Sequence, residues 1–291
     1  MNKPFLDQVY YQSSEKMNDI PDCSIDLIVT SPPYFNIKDY YKNGYQSEIV
    51  SDVKKSDIGN IDCFEDYINK LLRVWKECER VLKPNGKLCI NVPLMPMKKK
   101  EMHTHYNRDI FDLQSAIQHS ILKGTNLYLM DLYIWQRKNA TKKLMFGSYP
   151  CPPNFYAQNT CEFITIYVKD GKPAPVSKEI KEQSALTQDE WVEYTKQIWE
   201  IAIPNKGDLA FGIHSAIMPE EIVRRCVKLY SFKEGIVLDP FAGSGTTLKV
   251  ACEEGRRYVG FELYDTYKDV IDKKIALAKG GTSNGIKQSL L

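Results

Sequence analysis

The chain has 291 residues, 43% hydrophobic and 26% charged, a length and balance that suit a large globular fold and exclude a disordered chain. Its formal net charge of +2 neither demands nor opposes a polyanionic partner, because such binding follows local patches. No apolar run reaches the roughly 18 residues of a membrane span, and the first twelve residues lack the apolar stretch of a secretory signal, so a cytoplasmic protein with no membrane attachment is expected.

Residues 8–11 suit a short strand, and residues 25–30, Ile-Asp-Leu-Ile-Val-Thr, form the apolar run of a strand buried on both faces. Ser31-Pro32-Pro33-Tyr34 then stops it: two prolines remove two backbone donors and fix two φ angles, so a rigid loop begins. From Phe64 the positions Tyr67, Ile68, Leu71, Leu72, Trp75, Cys78 and Leu82 recur at three- and four-residue steps, the stripe of an amphipathic helix. Lys83-Pro84-Asn85-Gly86 supplies turn residues and residues 88–92 resume as a strand, which completes a βαβ unit. Further strands fit residues 127–136 and 162–169. Between residues 171 and 212 the pattern weakens, and Trp191, Tyr194 and Trp199, at roughly helical spacing, read as the core of an inserted subdomain. Pro219 opens a helix whose Ile222, Val223, Cys226, Val227 and Tyr230 share a face. A strand over 235–239, a helix over 246–254 and a strand over 258–263 follow, and the residues from 280 onward read as a flexible tail.

The eight cysteines never stand two or three apart, as metal or redox pairs would, so they are expected as reduced thiols, mostly in the core. His103 and His105 have no evident third ligand, and no metal site is expected. Two basic clusters stand out, Lys98, Lys99 and Lys100 with Arg108, and Arg137 and Lys138 with Lys142 and Lys143.

The run from Ile236 through Asp239, Pro240, Phe241, Ala242, Gly243, Ser244, Gly245, Thr246 and Thr247 is a buried strand entering a Gly-rich turn at a helix start. Glycine there lets the backbone pass close to a ligand, and the helix N-terminus offers free N–H groups. Nineteen residues beyond Gly243, at the end of the next strand, Glu262 is placed to accept from the hydroxyls of a ribose. The third glycine of the dinucleotide fingerprint is absent, so the expected ligand is an adenosine with a small zwitterionic tail, S-adenosylmethionine. A helix cap whose glycines serve only tight packing is the alternative.

In an open α/β sheet, ligands bind just beyond the carboxyl ends of the strands, which puts Ser31 and Tyr34 at a cleft. The segment Asp26 to Tyr34, ending Thr-Ser-Pro-Pro-Tyr, together with Val237-Leu238-Asp239-Pro240-Phe241-Ala242-Gly243-Ser244-Gly245-Thr246-Thr247, resembles the exocyclic-amino DNA methyltransferases of the beta class. Phe64 to Tyr67, residues 83–92 and 162–168, His214 to Pro219, and Gly260-Phe261-Glu262 extend the likeness over most of the chain. One departure is Gln12-Ser13 before Ser14-Glu15, where members carry Gly-Asp, which leaves Ser13 or Ser14 to meet the cofactor.

The resemblance implies an α/β fold with a mixed, mostly parallel, doubly wound sheet, a catalytic half over 1–170, a target-recognition region over 171–212, a cofactor half over 213–279 and a tail over 280–291. It implies S-adenosylmethionine as cofactor and double-stranded DNA as substrate; a cognate restriction endonuclease and a homodimer stay open. The expected catalytic set is Ser31, Pro32, Pro33 and Tyr34, and the expected cofactor set is Thr30, His214, Glu262 and residues 239–247. Lys98, Lys99, Lys100, Arg108, Lys142 and Lys143 are the expected DNA contacts, since phosphate contacts carry most nonspecific affinity.

An exocyclic amino group is a poor nucleophile because its lone pair is delocalised into the ring. The Ser31 hydroxyl and the Pro32 carbonyl can hold its two N–H bonds and free that lone pair. Tyr34 offers a flat face to the base, which must first leave the duplex. Members with serine at the first loop position typically methylate cytosine N4, and those with aspartate or asparagine mostly adenine N6. The expected activity is therefore cytosine-N4 methylation. Adenine-N6 methylation is the main alternative, followed by RNA or protein-amide methylation and by a non-catalytic nucleotide-binding module.

Overall fold

A computed structural model describes residues 4–35, 57–61, 63–96, 110–139, 150–151, 159–214 and 216–280. The strands in chain order are β1 Gln8–Tyr10, β2 Ile25–Thr30, β3 Leu82–Pro93, β4 Met95–Pro96, β5 Ile110–Phe111, β6 Leu127–Arg137, β7 Cys161–Lys169, β8 Ile198–Ile201, β9 Ile236–Asp239 and β10 Arg257–Phe261. Eight of them form one sheet in the order β1-β10-β9-β2-β3-β7-β6-β8, and β4 pairs with β5 apart from it. Neighbours from β1 to β3 are parallel, β7 runs antiparallel between β3 and β6, and β8 lies parallel to β6. This is the expected mixed, mostly parallel sheet.

Period-two alternation divides the core between the two faces. Ile28, Ile90 and Leu238 meet helices α1 (Phe64–Val81) and α2 (Leu113–Gly124), which bury Tyr67, Leu71, Trp75, Ile117 and Ile121. Two short helices follow, α3 (Lys178–Gln183) and α4 (Gln188–Tyr194). On the opposite face Leu27, Val29, Cys89 and Val237 meet α5 (Glu220–Tyr230), α6 (Thr246–Glu253) and α7 (Lys268–Gly280) through Val223, Leu248 and Ile271. Strands buried on both sides need continuous apolar runs, which is why Ile25–Thr30 reads as it does.

Several expectations are corrected. The turn at Lys83–Gly86 does not precede β3; it is an excursion within it, since Ile25 pairs with Leu82 and Leu27 with Lys87, and Asn85 takes φ 63°. The elements α2, α7 and β8, like the short α3, α4, β4 and β5, were not expected from the sequence: α2 buries Ser120 and α7 buries Lys274 among apolar neighbours, which breaks both stripes. The Trp191 stripe is also not one core face. Trp191 is 60% exposed on α4, whereas Trp199 is fully buried on β8. The cysteines are free thiols, but only Cys78, Cys89 and Cys226 are buried, and Cys23, Cys63 and Cys151 are exposed.

Candidate active site

β2 and β9 lie side by side at the centre of the sheet, and the chain leaves them in opposite directions, from β2 to α1 on one face and from β9 to α6 on the other. Loops that part in this way leave a crevice at the carboxyl ends of the strands. A cavity of about 930 Å³, open mouth included, occupies it. Ser31, Pro32, Pro33, Tyr34, His214, Asp239, Pro240, Phe241, Ala242, Gly243, Ser244, Thr246, Thr247 and Glu262 all line it. Thr30 and Gly245 stand behind the wall. Thr30 Oγ1 donates to Asp239 Oδ1 at 2.7 Å, and Gly245, at φ 79°, starts α6.

The two acids of the cavity are buried and differently held. Asp239 also accepts from the Phe241 N–H at 3.0 Å, and burial pushes its pKa up to about 6. Glu262 accepts from the Gly243 N–H at 2.7 Å and the Tyr264 N–H at 2.9 Å, and burial, which outweighs these bonds, pushes it up to about 8. The Glu262 carboxyl therefore clamps the Gly-rich turn from the next strand and can also accept from a ligand hydroxyl. Gly243, at φ 51°, is required twice over, because a Cβ there would sit 2.9 Å from His214 Nε2.

On the other loop, Ser31 Oγ donates to the Asn91 carbonyl at 3.1 Å and lies 3.2 Å from the Tyr34 hydroxyl. With its proton given to Asn91, the serine oxygen keeps lone pairs for an incoming N–H. Tyr67 Oη donates to the Pro33 carbonyl at 2.9 Å, which fixes the loop from α1. Ser31, Tyr34 and His214 also line a second cavity, of about 810 Å³ with its mouth included, together with Asn91, Trp135, Glu162 and Phe211. The loop thus borders two adjoining spaces.

Other residues in or behind the wall carried no motif in the sequence. Asp57, on the turn Ile58–Asn60, accepts from Tyr264 Oη at 2.6 Å and lines the first cavity with Tyr264 and Tyr267. Lys274, buried on α7, reaches Thr246 Oγ1 at 3.0 Å and Asp208 at 3.1 Å. Its one visible signal was a lysine interrupting an apolar stripe. Ser13 and Ser14 do line the cavity. Lys98, Lys99, Lys100, His103, His105, Arg108, Lys142 and Lys143 lie outside the described residues. Of the second basic cluster, Arg137 is engaged with the Thr160 carbonyl and lies 3.7 Å from Glu162, and Lys138 pairs with Glu200 on the surface.

Residues 25–273 match the family model of the N6/N4 DNA methylases. The Type II methyltransferase M.MjaI of Methanocaldococcus jannaschii is 30% identical over 93% of this chain and 91% of its own length. M.MthZI of Methanothermobacter thermautotrophicus is 28% identical over 92% of this chain and 76% of its own. Among solved structures, the putative DNA modification methylase TTHA0409 of Thermus thermophilus, complexed with S-adenosyl-L-methionine, superposes with a TM-score of 0.73 at 26% identity, covering 94% of this chain and 95% of that one. The PvuII DNA methyltransferase shares the fold, with a TM-score of 0.63 at 17% identity over 94% of this chain and 93% of that one. A doubly wound sheet whose central crevice joins a Ser-Pro-Pro-Tyr loop to a Gly-rich turn is thus matched over nearly its whole length, and the chain belongs to the N6/N4 DNA methylase family of S-adenosylmethionine-dependent DNA methyltransferases.

Proposed function

We propose that the protein methylates the N4 amino group of cytosine in double-stranded DNA, on a base turned out of the helix. The observation that carries this reading is Ser31, a serine with its proton committed and its lone pairs available, on the loop that borders both cavities. Serine at this position in the resembling enzymes typically accompanies cytosine N4.

S-adenosylmethionine supplies an electrophilic methyl group on a sulfonium. The first cavity would hold it, with Glu262 accepting from the ribose hydroxyls and the turn after β9 closing over it. Ser31 Oγ and the Pro32 carbonyl accept the two amino N–H bonds, which draws the nitrogen towards a pyramidal shape and frees its lone pair. Held in this way, the amino nitrogen would take the methyl group that the sulfonium supplies as the carbon–sulfur bond breaks, and its surplus proton would pass to solvent. Tyr34 packs on the base, and such stacking offsets roughly 1 to 3 kcal/mol of the unstacking cost. Residues 171–212, and the basic clusters at 98–108 and 142–143, are the proposed DNA-reading surfaces. That M.MjaI and M.MthZI are Type II methyltransferases supports a cognate restriction endonuclease acting on the same site.

The test supplies labelled S-adenosylmethionine and duplexes of varied sequence, then identifies the methylated nucleoside and its neighbours. N4-methylcytosine is expected. N6-methyladenine alone would replace this reading with the adenine one, and cofactor binding without transfer to any nucleic acid would leave a non-catalytic module.

A further inference from the structure

The antiparallel pairing of β3 with β7 creates a second polar group beside Ser31. Asn91 faces Ile164 across the pair, so Glu162 is its diagonal neighbour on the same face, and Glu162 in turn faces Trp135 on β6. β2 runs parallel to β3 with Thr30 beside Ile90, which brings Ser31 next to Asn91. Four adjacent strands therefore present Ser31, Asn91, Glu162 and Trp135 in one row, and all four line the second cavity.

Within that row the polarity of the Asn91 side chain is fixed. Its Nδ2 donates to Glu162 Oε2 at 2.8 Å, and the Glu162 carboxylate, 3.7 Å from the Arg137 guanidinium, demands the NH₂ end of the amide. Oδ1 must then point away from Glu162. Asn91 is only 3% exposed, and Oδ1 has no hydrogen-bond partner among the described residues. A buried acceptor left unpaired costs stability, so one held in a cavity by a dedicated carboxylate calls for a ligand donor. An amino-bearing nucleobase has such a donor in its exocyclic amino group.

We propose that Asn91 Oδ1 shares with Ser31 Oγ, in a three-centre bond, one N–H of the amino group of the target base, and that Glu162 is a positioning residue which keeps the amide turned that way. The inference rests on the proposed DNA-methylating activity. Asn91 then acts twice at one place: its carbonyl takes the Ser31 proton, which turns the serine into an acceptor, and its side chain adds an acceptor of its own. A base carrying a carbonyl in place of the amino group, thymine or uracil, meets oxygens facing oxygens and is rejected.

A double-mutant cycle tests this with the full chain. Affinities are measured with S-adenosylhomocysteine present, for wild type and Asn91→Leu, on the identified target duplex and on the same duplex with the amino group deleted (2-pyrimidinone for cytosine, purine for adenine). Removing the amino group is expected to weaken wild-type binding about five-fold more than it weakens the variant, the scale of one neutral hydrogen bond. Equal ratios in the two proteins, as a merely structural asparagine or a bound water would give, overturn the proposal. Should leucine prevent folding, Asn91→Ala enters the same cycle. Glu162→Gln, whose own amide lets Asn91 turn, is expected to lower the coupling although Asn91 is intact; unchanged coupling there removes the positioning role. A wild-type protein that methylates DNA but shows no coupling fails this inference alone, whereas one that methylates no duplex fails the activity beneath it.

Discussion

Ser31 and Glu262 mark the two chemical poles of the site, one a neutral acceptor for a base and the other a buried acid on the cofactor side. If Ser31 holds the amino group as it reacts, Ser31→Ala is expected to lower kcat about 100-fold, the scale seen when one preorganised partner is removed from a transition state. Cofactor affinity, read by calorimetry, is expected to stay unchanged, since the loss falls on the transfer step; a rate within about two-fold of wild type would remove Ser31 from the mechanism. Glu262 makes a different prediction. Its folded value of about 8 lies above the ordinary 4.5, so between those pH values the folded state carries a proton that the unfolded state has lost. The stability contributed is full below about pH 4.5 and is lost as pH rises towards 8. Thermal unfolding of the cofactor-free protein is expected to show Tm falling across this window, and Glu262→Gln to flatten the fall; Asp239 adds a smaller slope between 3.8 and about 6. Both residues were legible in the sequence, because each ends a recognisable strand. Asp57, Tyr264 and Asn91 were not, since what matters about them is whom they meet across the fold, and a single sequence carries no record of pairing.

At the scale of elements, the segment 171–212 joins the sheet through the pairing of β8 with β6, and basic side chains of α5 tie its helices down. Arg225 of α5, with a side chain 7% exposed, bonds Glu221 at 2.9 Å, reaches Glu193 of α4 at 3.5 Å, and packs over the rings of Tyr194 and Trp199 at 5.0 and 5.3 Å. Lys228 on the same helix bonds Glu190, which itself closes a capping box with Thr187 at the start of α4. Arg225→Ala is expected to cost about 2 kcal/mol, the scale of a hydrogen bond to a charged group. Hydrogen exchange is expected to locate the loosening in α4 and β8 rather than in β2 or β9; uniform loosening would contradict this anchoring. Strong periodicity made α1 and α5 legible, as did the apolar runs of β2 and β9. The short α3, α4 and β8 escaped because each takes its stability from tertiary contacts and too few residues remain to show a period.

At the scale of the molecule, the site exists only where two distant stretches of chain meet. Thr30 and Asp239 are 209 positions apart, yet they share a hydrogen bond at 2.7 Å, and Asp26 Oδ2 accepts from the Ile236 N–H at 2.8 Å at the other end of the same strand pair. Residues 213–291 expressed alone are therefore expected to bind S-adenosylmethionine at least about 100-fold more weakly than the whole chain, although they contain the entire Gly-rich turn, because β2 supplies the flank that buries Asp239. Comparable affinity in calorimetry would show that the second half is self-sufficient. The order of motifs along the chain foretold that two halves must combine; the strand order that brings them together comes from the sheet itself. One further property follows from the row of residues crossing β2, β3, β7 and β6. Trp135 stands opposite Glu162 in that row, and Trp75 lies edge-on to Phe241, 6.0 Å away at the wall of the other cavity. Of the chain's four tryptophans only Trp191 is exposed, so iodide is expected to quench its emission selectively. The ultraviolet fluorescence that survives would come from inside, so the molecule carries, unlabelled, an optical reporter beside each of the two cavities that Ser31 and Tyr34 border.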